Sequence, residues 1–318
     1  MKISVIGKTR AVTHWLEDCV AGLIDAGHQV QVLSSRDPRL SPSIDRLLLS
    51  SALGAPRAAW IARAVQRFQP DLILAMAGYD FSPEILQRLH ALPGRAPLVA
   101  WIGDAFADNA RQMAQYFDHV FYIDSQFVAA HQALGLTPPC SYLPHAANLR
   151  LGAPDNTPRA ARLVFVGNPT PQREALLGAL RVPVELVGPG WKPFRAVDHV
   201  LVQRRIGIDE LAQAYRSHVG VLNIRHERNV SAGLNQRSFD PYLLATPVVS
   251  DAQPDLVACF AEGAEVLVYR SADELDDIAA RLAREPEMAQ RIGEAGRARV
   301  LAEHGYRHRI AQIAAAVL

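Results

Sequence analysis

A short polar segment after Gly233 carries residue types that bind phosphorylated ligands. Its polar side chains are those of Asn235, Arg237, Ser238 and Asp240. The apolar stretch that follows predicts a helix, which Pro247 ends. Backbone N–H groups and the positive end of a helix dipole at such a turn attract an anion such as a diphosphate. A carboxylate one turn further along, that of Asp240, could accept hydrogen bonds from ribose hydroxyls. The structural alternative is a capped helix packed on a sheet.

Other residues have the chemistry to join a diphosphate site. Gly167 and Asn168 follow a predicted strand, where a glycine lets the backbone approach a ligand. Arg225 and Arg237 are candidate partners because the guanidinium fork matches phosphate geometry. Further candidate donors are the main-chain N–H groups of Gly233, Leu234 and Asn235. An ordinary turn and a surface arginine are the alternatives for Gly167 and Arg225.

Composition describes a soluble globular protein. The chain has 318 residues, of which 49% are hydrophobic and 20% charged, a length that suits two domains. No apolar run is long enough to span a membrane, and the chain opens on a strand, so we expect a cytoplasmic protein without a signal peptide. Cys19, Cys140 and Cys259 are far apart, which predicts neither a metal site nor a disulfide framework.

The charge balance bears on partners. A formal net charge of +1 argues against a dedicated nucleic-acid binder, which would concentrate basic residues on one face. It leaves peripheral membrane contact open.

Strands and helices alternate along the chain. In the first half the predicted strands are ISVIG, HQVQVLS, DLILAMAG, PLVAWIG, HVFYID and CSYLP, and in the second half RLVFVG, VPVELVG, HVLVQ, GVLNI, PVVSD and EVLVY. Strands spaced by helices pair in parallel through right-handed crossovers, so each half predicts a doubly wound α/β sheet. The segment Leu151 to Pro158 is rich in Gly, Pro, Asp and Asn and indicates a linker. We therefore predict domains at 1–150 and 151–318.

Several motifs together resemble GT-B glycosyltransferases of the CgeB-like (spore maturation protein) group, within the group 1 glycosyltransferases. They are RSFD (237–240), ATP (245–247), GAEVLVY (263–269), LVFVGNPTPQRE (163–174), GPGW (188–191) and the closing segment 294–310. A weaker likeness continues through PLVAWIGD (97–104), FDHVFYIDSQFV (117–128) and SYLPHAAN (141–148). The resemblance covers roughly the last two thirds of the chain.

The resemblance implies a fold and an activity. The fold would be GT-B, with two Rossmann-like doubly wound domains facing across a cleft. The activity would be transfer of a sugar from a nucleoside diphosphate donor, of UDP or dTDP type, without a metal or other cofactor. The acceptor could be a glycan, a protein or a small molecule. In such enzymes the C-terminal domain holds the nucleotide, and Arg205 lies where relatives contact the base.

Acceptor activation would belong to the N-terminal domain. Asp104, Asp80 and His14 follow predicted strands and have the chemistry of a general base. Asp104 ranks first because it falls in the family-like segment. Helix capping or a solvated loop position is the alternative for each, and a reaction that retains configuration would need no such base.

Two departures from the family pattern keep other functions open. Asp240 stands where Glu is usual, and Ala232 stands where many GT-B enzymes have a Glu that contacts the transferred sugar. The alternatives are a nucleotide-sugar epimerase or hydrolase on the same scaffold, and a non-catalytic binding module. An NAD-dependent oxidoreductase is disfavoured because the first strand–helix turn lacks GxGxxG.

Overall fold

A computed structural model of the chain describes residues 1–8, 15–36, 54–104, 106 and 108–318. These residues form two compact units, one of residues 1–144 with 306–318 and one of residues 145–305. The division after Pro144 lies six residues before the predicted boundary, and the last helix belongs to the first unit instead of the second.

The first unit is built on a six-stranded parallel sheet. Its strands are β1 (Lys2–Gly7), β2 (Gln29–Ser34), β3 (Leu72–Met76), β4 (Leu98–Ile102), β5 (His119–Tyr122) and β6 (Cys140–Tyr142). Their order is β2-β1-β3-β4-β5-β6. Every residue of β3 and β4 is buried, as expected for central strands of a parallel sheet covered on both faces.

Helices connect these strands. They are α1 (Trp15–Asp25), α2 (Gly54–Phe68), α3 (Pro83–His90), α4 (Ala110–Ala114) and α5 (Ser125–Ala133). Helix α3 begins with a cap, since the Ser82 side chain accepts a hydrogen bond from the Ile85 N–H and Pro83 occupies the first turn. Gly27 follows α1 with a φ of 80°, the left-handed conformation that glycine adopts most easily after a helix.

The second unit repeats this plan. Its strands are β7 (Ala160–Val166), β8 (Val184–Val187), β9 (Val200–Val202), β10 (His218–Asn223), β11 (Val248–Asp251) and β12 (Leu267–Tyr269). They form a second parallel sheet of order β12-β11-β10-β7-β8-β9. Its helices are α6 (Pro171–Gly178), α7 (Ile208–Arg216), α8 (Ala272–Arg284) and α9 (Pro286–Glu303). The prediction of two doubly wound parallel sheets is confirmed.

The last helix, α10 (Tyr306–Val317), packs within the first unit. The rings of Tyr306 and Trp101 meet edge to face, with centroids 6.2 Å apart. The Arg309 Nε donates to the carbonyl oxygen of Pro144 at 2.9 Å. These contacts explain why the helix belongs to the first unit although the chain reaches it through the second.

The segment from Gly233 to Pro247 differs from the predicted helix. It forms two short 3₁₀ turns, Gln236–Ser238 and Asp240–Leu244. The Asn235 side chain caps the first turn by accepting from the Arg237 N–H at 2.9 Å, but Pro241 has no N–H to donate, so regular α-helical bonding cannot continue through it. Ala245 then adopts a left-handed conformation with a φ of 51°. Turns this short build no helix dipole, so an anion site here must depend on side chains.

Gly293 lets α9 lie against the carbonyl end of the second 3₁₀ turn. A Cβ at this position would come within 2.1 Å of the Ala245 carbonyl oxygen. We expect Gly293→Ala to destabilise the protein by about 1–3 kcal/mol, because overpacking outweighs the roughly 1 kcal/mol that alanine contributes inside a helix. Denaturant unfolding measures the change.

Gly207→Ala is the matched control, because a Cβ at that position meets nothing within 4 Å. It should change the unfolding free energy by less than about 1 kcal/mol. Equal stability of the two variants would contradict the close packing of α9.

No described helix is long and apolar enough to cross a membrane.

Candidate functional site

Two arginines meet over one aromatic ring where β7 ends. The guanidinium carbon of Arg173 lies 5.1 Å from the centroid of the Phe165 ring, and that of Arg237 lies 4.8 Å from it. Arg173 comes from the first turn of α6, which Thr170 caps by accepting a hydrogen bond from the Arg173 N–H. Arg237 comes from the 3₁₀ turn Gln236–Ser238. Three separate segments therefore bring the two cations together.

Arg173 is a buried cation held by neutral groups. Its side chain is only 5% exposed. Its Nη1 donates to the carbonyl oxygen of Asn168 and its Nη2 to that of Ile224, both at 2.9 Å. Its Nε is buried and has no protein partner among the described residues. Burial, with a smaller contribution from the charge of Arg237, lowers the pKa of Arg173 to about 10.

Arg237 is held in a similar way. Its Nε donates to the carbonyl oxygen of Val166 at 3.0 Å, and its Nη1 donates to the side-chain oxygen of Asn223 at 2.8 Å. Burial lowers the pKa of this guanidinium as well. Across the part of the chain that the structure describes, neither Arg173 nor Arg237 forms an ion pair with a carboxylate. The carboxylates of Asp251, Glu227 and Asp240 partly oppose the lowered pKa values of the two groups without pairing with them directly. Two neighbouring positive charges, one buried and one half-buried, that lack a direct ion pair favour an anion at this position.

The Asn223 side chain, fully buried at the end of β10, organises the surrounding polar residues. Its amide nitrogen donates to the hydroxyls of Ser238 at 3.0 Å and Ser250 at 3.2 Å. Its oxygen accepts from the Asn235 amide at 3.0 Å as well as from Arg237. A satisfied buried network of this kind holds its members rigidly. Asn235 and Ser238, predicted as ligand contacts, thus have structural bonds that fix the arginine between them.

Arg225 lies close to a carboxylate of its own. Its Nε is 3.6 Å from Asp251 Oδ2, and its backbone N–H donates to Asp251 Oδ1 at 3.3 Å. The Gln253 amide donates to the same oxygen at 2.9 Å. Burial raises the pKa of Asp251, and Arg225 opposes that rise. Arg225 therefore has a carboxylate at close range, whereas among the described residues Arg173 and Arg237 form no ion pair.

Gly167 lies directly beside Arg237 and the Phe165 ring. A Cβ at this position would come within 3.2 Å of the Arg237 Nη2 and 3.0 Å of the Phe165 ring. Asn168 is exposed, and its carbonyl oxygen holds Arg173. The glycine therefore keeps the approach to the Arg237 guanidinium free of a side chain.

Asp240 opens the second 3₁₀ turn and is only 6% exposed. Its Oδ1 accepts a hydrogen bond from the backbone N–H of Asn148 at 2.9 Å. Its charge also lies near enough to Arg237 to oppose the lowered pKa of that group. A carboxylate has several acceptor positions, so this bond does not prevent Asp240 from binding a hydroxyl.

The other donor-side candidates lie in different surroundings. Leu234 is fully buried in the core of the second unit, and Gly233 is buried beside it. Arg205 is exposed in the loop between β9 and α7, next to the Arg204–Glu210 ion pair.

The candidate bases of the first unit lie beyond the carboxyl ends of its strands. Asp104 is exposed and follows β4 by two residues. Asp80 is exposed, ends a 3₁₀ turn after β3, and forms an ion pair with Lys8. Since β3 and β4 are neighbours, both carboxylates lie at the same edge of the sheet. His14 falls outside the described residues.

Sequence reasoning did not single out Arg173 or Asn223. Arg173 stands in the motif LVFVGNPTPQRE, six residues after a glycine that ends a strand, and that spacing is the signal that could have found it. Asn223 is an amide at the end of an apolar strand, where ligands of open α/β sheets bind. No group of three or more His, Cys, Asp or Glu that could hold a metal occurs among the described residues.

The two parallel-sheet units have the fold of the GT-B glycosyltransferases. Residues 172–315, somewhat less than half of the chain, match the family model described as glycosyl transferase-like. Both arginines lie in that stretch. No curated protein is similar to the chain by sequence.

Solved structures match along nearly the whole length. Sucrose-phosphate synthase from Thermosynechococcus elongatus superposes with a TM-score of 0.67 and 14% identity, covering 99% of this chain and 97% of that one. Anabaena HepE in complex with UDP-glucose superposes with a TM-score of 0.64 and 14% identity, covering 99% of each chain. The UDP-GlcNAc 2-epimerase of Neisseria meningitidis, bound to UDP-GlcNAc, superposes with a TM-score of 0.56 and 11% identity. The match covers 100% of this chain and 99% of that one. At such identities these likenesses concern the fold.

Proposed function

We propose that this protein is a glycosyltransferase that moves a sugar from a nucleoside diphosphate donor to an acceptor without a bound metal. The observation that carries the proposal is the pair of guanidinium groups over Phe165. That of Arg173 is buried, that of Arg237 is half-buried, and neither forms an ion pair with a carboxylate among the described residues. A diphosphate would supply the missing negative charge. The family match over residues 172–315 supports the same activity.

The arginines would also act in the reaction. When the sugar leaves, negative charge develops on the diphosphate, and fixed cations in a partly dry site stabilise that charge without reorganising. Gly167 would let the diphosphate approach, and Asp240 would accept the ribose hydroxyls. Because the structure of Anabaena HepE contains UDP-glucose, UDP is the first nucleotide to test, and dTDP is the second.

The acceptor side of the reaction would use Asp104. Of the two described candidates, Asp104 stands in the family-like segment 97–104, and Asp80 is already paired with Lys8. The acceptor would be a glycan, a protein or a small molecule with a free hydroxyl. A peripheral membrane location and a cytoplasmic location are compatible with this proposal.

A thermal-shift series with UDP, dTDP, GDP, CMP and NAD tests the donor class. A ligand at about 100 times its Kd stabilises the folded state by roughly 2.7 kcal/mol, which is readily detected. We expect UDP or dTDP to raise the unfolding midpoint, in EDTA as well as in its absence. A response to NAD alone would contradict the proposal and favour an oxidoreductase.

Donor turnover separates the remaining alternatives. Consumption of UDP-glucose or UDP-GlcNAc without an acceptor would indicate an epimerase or hydrolase on the same scaffold, the activity named for the Neisseria meningitidis protein. If no nucleotide of the series raises the unfolding midpoint, the result would favour a non-catalytic module that binds a partner protein.

Asp240→Asn should weaken UDP binding about tenfold. The variant loses the charge-assisted bonds to ribose but keeps an oxygen that can accept from the Asn148 N–H. Asp240→Ala should weaken binding up to about a hundredfold and also cost about 1–3 kcal/mol of stability, because that N–H is left unpaired. Calorimetric titration and denaturant unfolding measure the two effects.

Asp209→Asn, an exposed position on α7, is the matched control and should bind UDP normally. The ribose role is wrong if Asp240→Asn binds UDP, dTDP and GDP as tightly as the unmodified protein.

A further inference from the structure

Trp191 is buried between the loops that follow two neighbouring strands, β7 and β8. Its indole Nε1 donates to the carbonyl oxygen of Gly167 at 2.9 Å. Its ring meets Phe165 edge to face, with centroids 5.9 Å apart. Its own carbonyl oxygen accepts a hydrogen bond from the Gln203 side chain. The residue thus contacts both the glycine turn and the ring that carries the two arginines.

The bond to Gly167 determines the direction of a backbone donor. In a trans peptide the C=O and the following N–H point in opposite directions. Since the Gly167 carbonyl points at Trp191, the Asn168 N–H points away from the indole. Among the described residues no group accepts a hydrogen bond from this N–H, whereas the Gly167 N–H donates to the Val187 carbonyl at 2.9 Å.

The absence of a side chain at Gly188 leaves room for this orientation of the Gly167–Asn168 peptide. The φ of Gly188 is 149°, a conformation that residues with side chains rarely adopt. A Cβ at Gly188 would come within 2.3 Å of the Gly167 carbonyl oxygen. A side chain there would therefore push the Gly167–Asn168 peptide out of its position.

We propose that Trp191 is a positioning residue that presents the Asn168 N–H to the diphosphate of the donor. This inference rests on the proposed function, because it takes the anion over Phe165 to be a diphosphate. The N–H adds an uncharged, directional donor to the two guanidinium groups. Trp191 itself touches no ligand, and it acts through the peptide bond that it holds.

Trp191→Phe tests the role because it keeps an aromatic ring beside Phe165 and removes the indole N–H donor together with the five-membered ring that carries it. We expect it to weaken binding of inorganic pyrophosphate, measured by calorimetry, about tenfold, the effect of one hydrogen bond to a charged group. The smaller ring leaves a gap at this buried position, so the unfolding midpoint should also fall, and binding is measured well below it. Trp60→Phe, at a half-exposed position on α2, is the matched control and should bind pyrophosphate normally.

Nuclear magnetic resonance of protein labelled with ¹⁵N-asparagine gives a readout that packing alone would not move. In the unmodified protein, pyrophosphate should shift the Asn168 amide proton downfield, and Asn168→Gln identifies the signal by its loss. In Trp191→Phe the shift should be much smaller. The measurement on the unmodified protein stands even if the variant fails to fold.

The outcomes separate this inference from the proposed function. If the unmodified protein binds neither pyrophosphate nor UDP, the proposed function fails and the positioning role with it. If it binds both, and either the Asn168 signal stays still or Trp191→Phe binds pyrophosphate equally well, only the role of Trp191 is overturned.

Discussion

Arg173→Met should lower the affinity for UDP about a hundredfold. Each charge-assisted bond to a phosphate is worth about 1.5–3 kcal/mol, and a hundredfold loss corresponds to about 2.7 kcal/mol. Arg173 is buried and rigidly held by the carbonyl oxygens of Asn168 and Ile224. Its side chain therefore loses little conformational entropy when UDP binds. Methionine fills similar space against Phe165 without the charge. Calorimetric titration with UDP measures the effect.

Arg181→Met is the matched control for this change. Arg181 is exposed in the same unit and pairs with Asp273 and Asp276, so its loss should leave UDP binding unchanged. Arg237→Met should resemble Arg173→Met, and the two losses should not add, because each removal also relieves the repulsion felt by the other cation. UDP affinity that is the same in all three variants would contradict an anion site over Phe165.

Asp104→Asn should reduce kcat for transfer about a hundredfold and leave the affinity for UDP unchanged. General-base catalysis contributes typically 10²–10⁴-fold, and asparagine keeps the size of the side chain but cannot take a proton. Asp104 lies in the first unit, and the arginines lie in the second, so donor binding should not change. Steady-state kinetics with a saturating donor, once an acceptor is found, measure kcat and KM separately.

Asp80→Asn tests whether Asp80, the other described carboxylate at this edge of the sheet, is the base instead of Asp104. It breaks the ion pair with Lys8 at an exposed position and should reduce kcat less than tenfold. If Asp80→Asn is the more damaging change, the base is Asp80. If both variants turn over normally, neither carboxylate accepts the proton, and either His14 is the base or the reaction proceeds with retention and needs none.

The secondary structure was largely predictable because its signals are local. β3 and β4 are continuous apolar runs, and such runs form buried strands wherever helices cover both faces of a sheet. Ser82 with Pro83 starts α3, and Gly27 follows the end of α1, through bonds that span only a few residues. The alternation of these elements was then enough to predict two doubly wound sheets.

The segment after Gly233 shows where local signals failed. Its composition favours a helix, but Pro241 interrupts the helical bonding and the segment forms two 3₁₀ turns, which Leu243 and Leu244 anchor in the core. The polar residues were correctly placed in one segment. The expected dipole is absent from these turns, and Asn235 and Ser238 bond to Asn223.

The sequence by itself determined the two α/β sheets, the segments at their carboxyl ends and the residue types that gather there. Only the tertiary structure decided that Arg173 and Arg237 share one ring, that Arg225 pairs with Asp251, and that the last helix joins the first unit. The physical reason is the separation in sequence over which each interaction acts. Strand and cap signals act over a few residues, whereas Arg173 and Arg237 are 64 positions apart in sequence. Whether a buried charge keeps a partner depends on which distant segments the fold brings beside it.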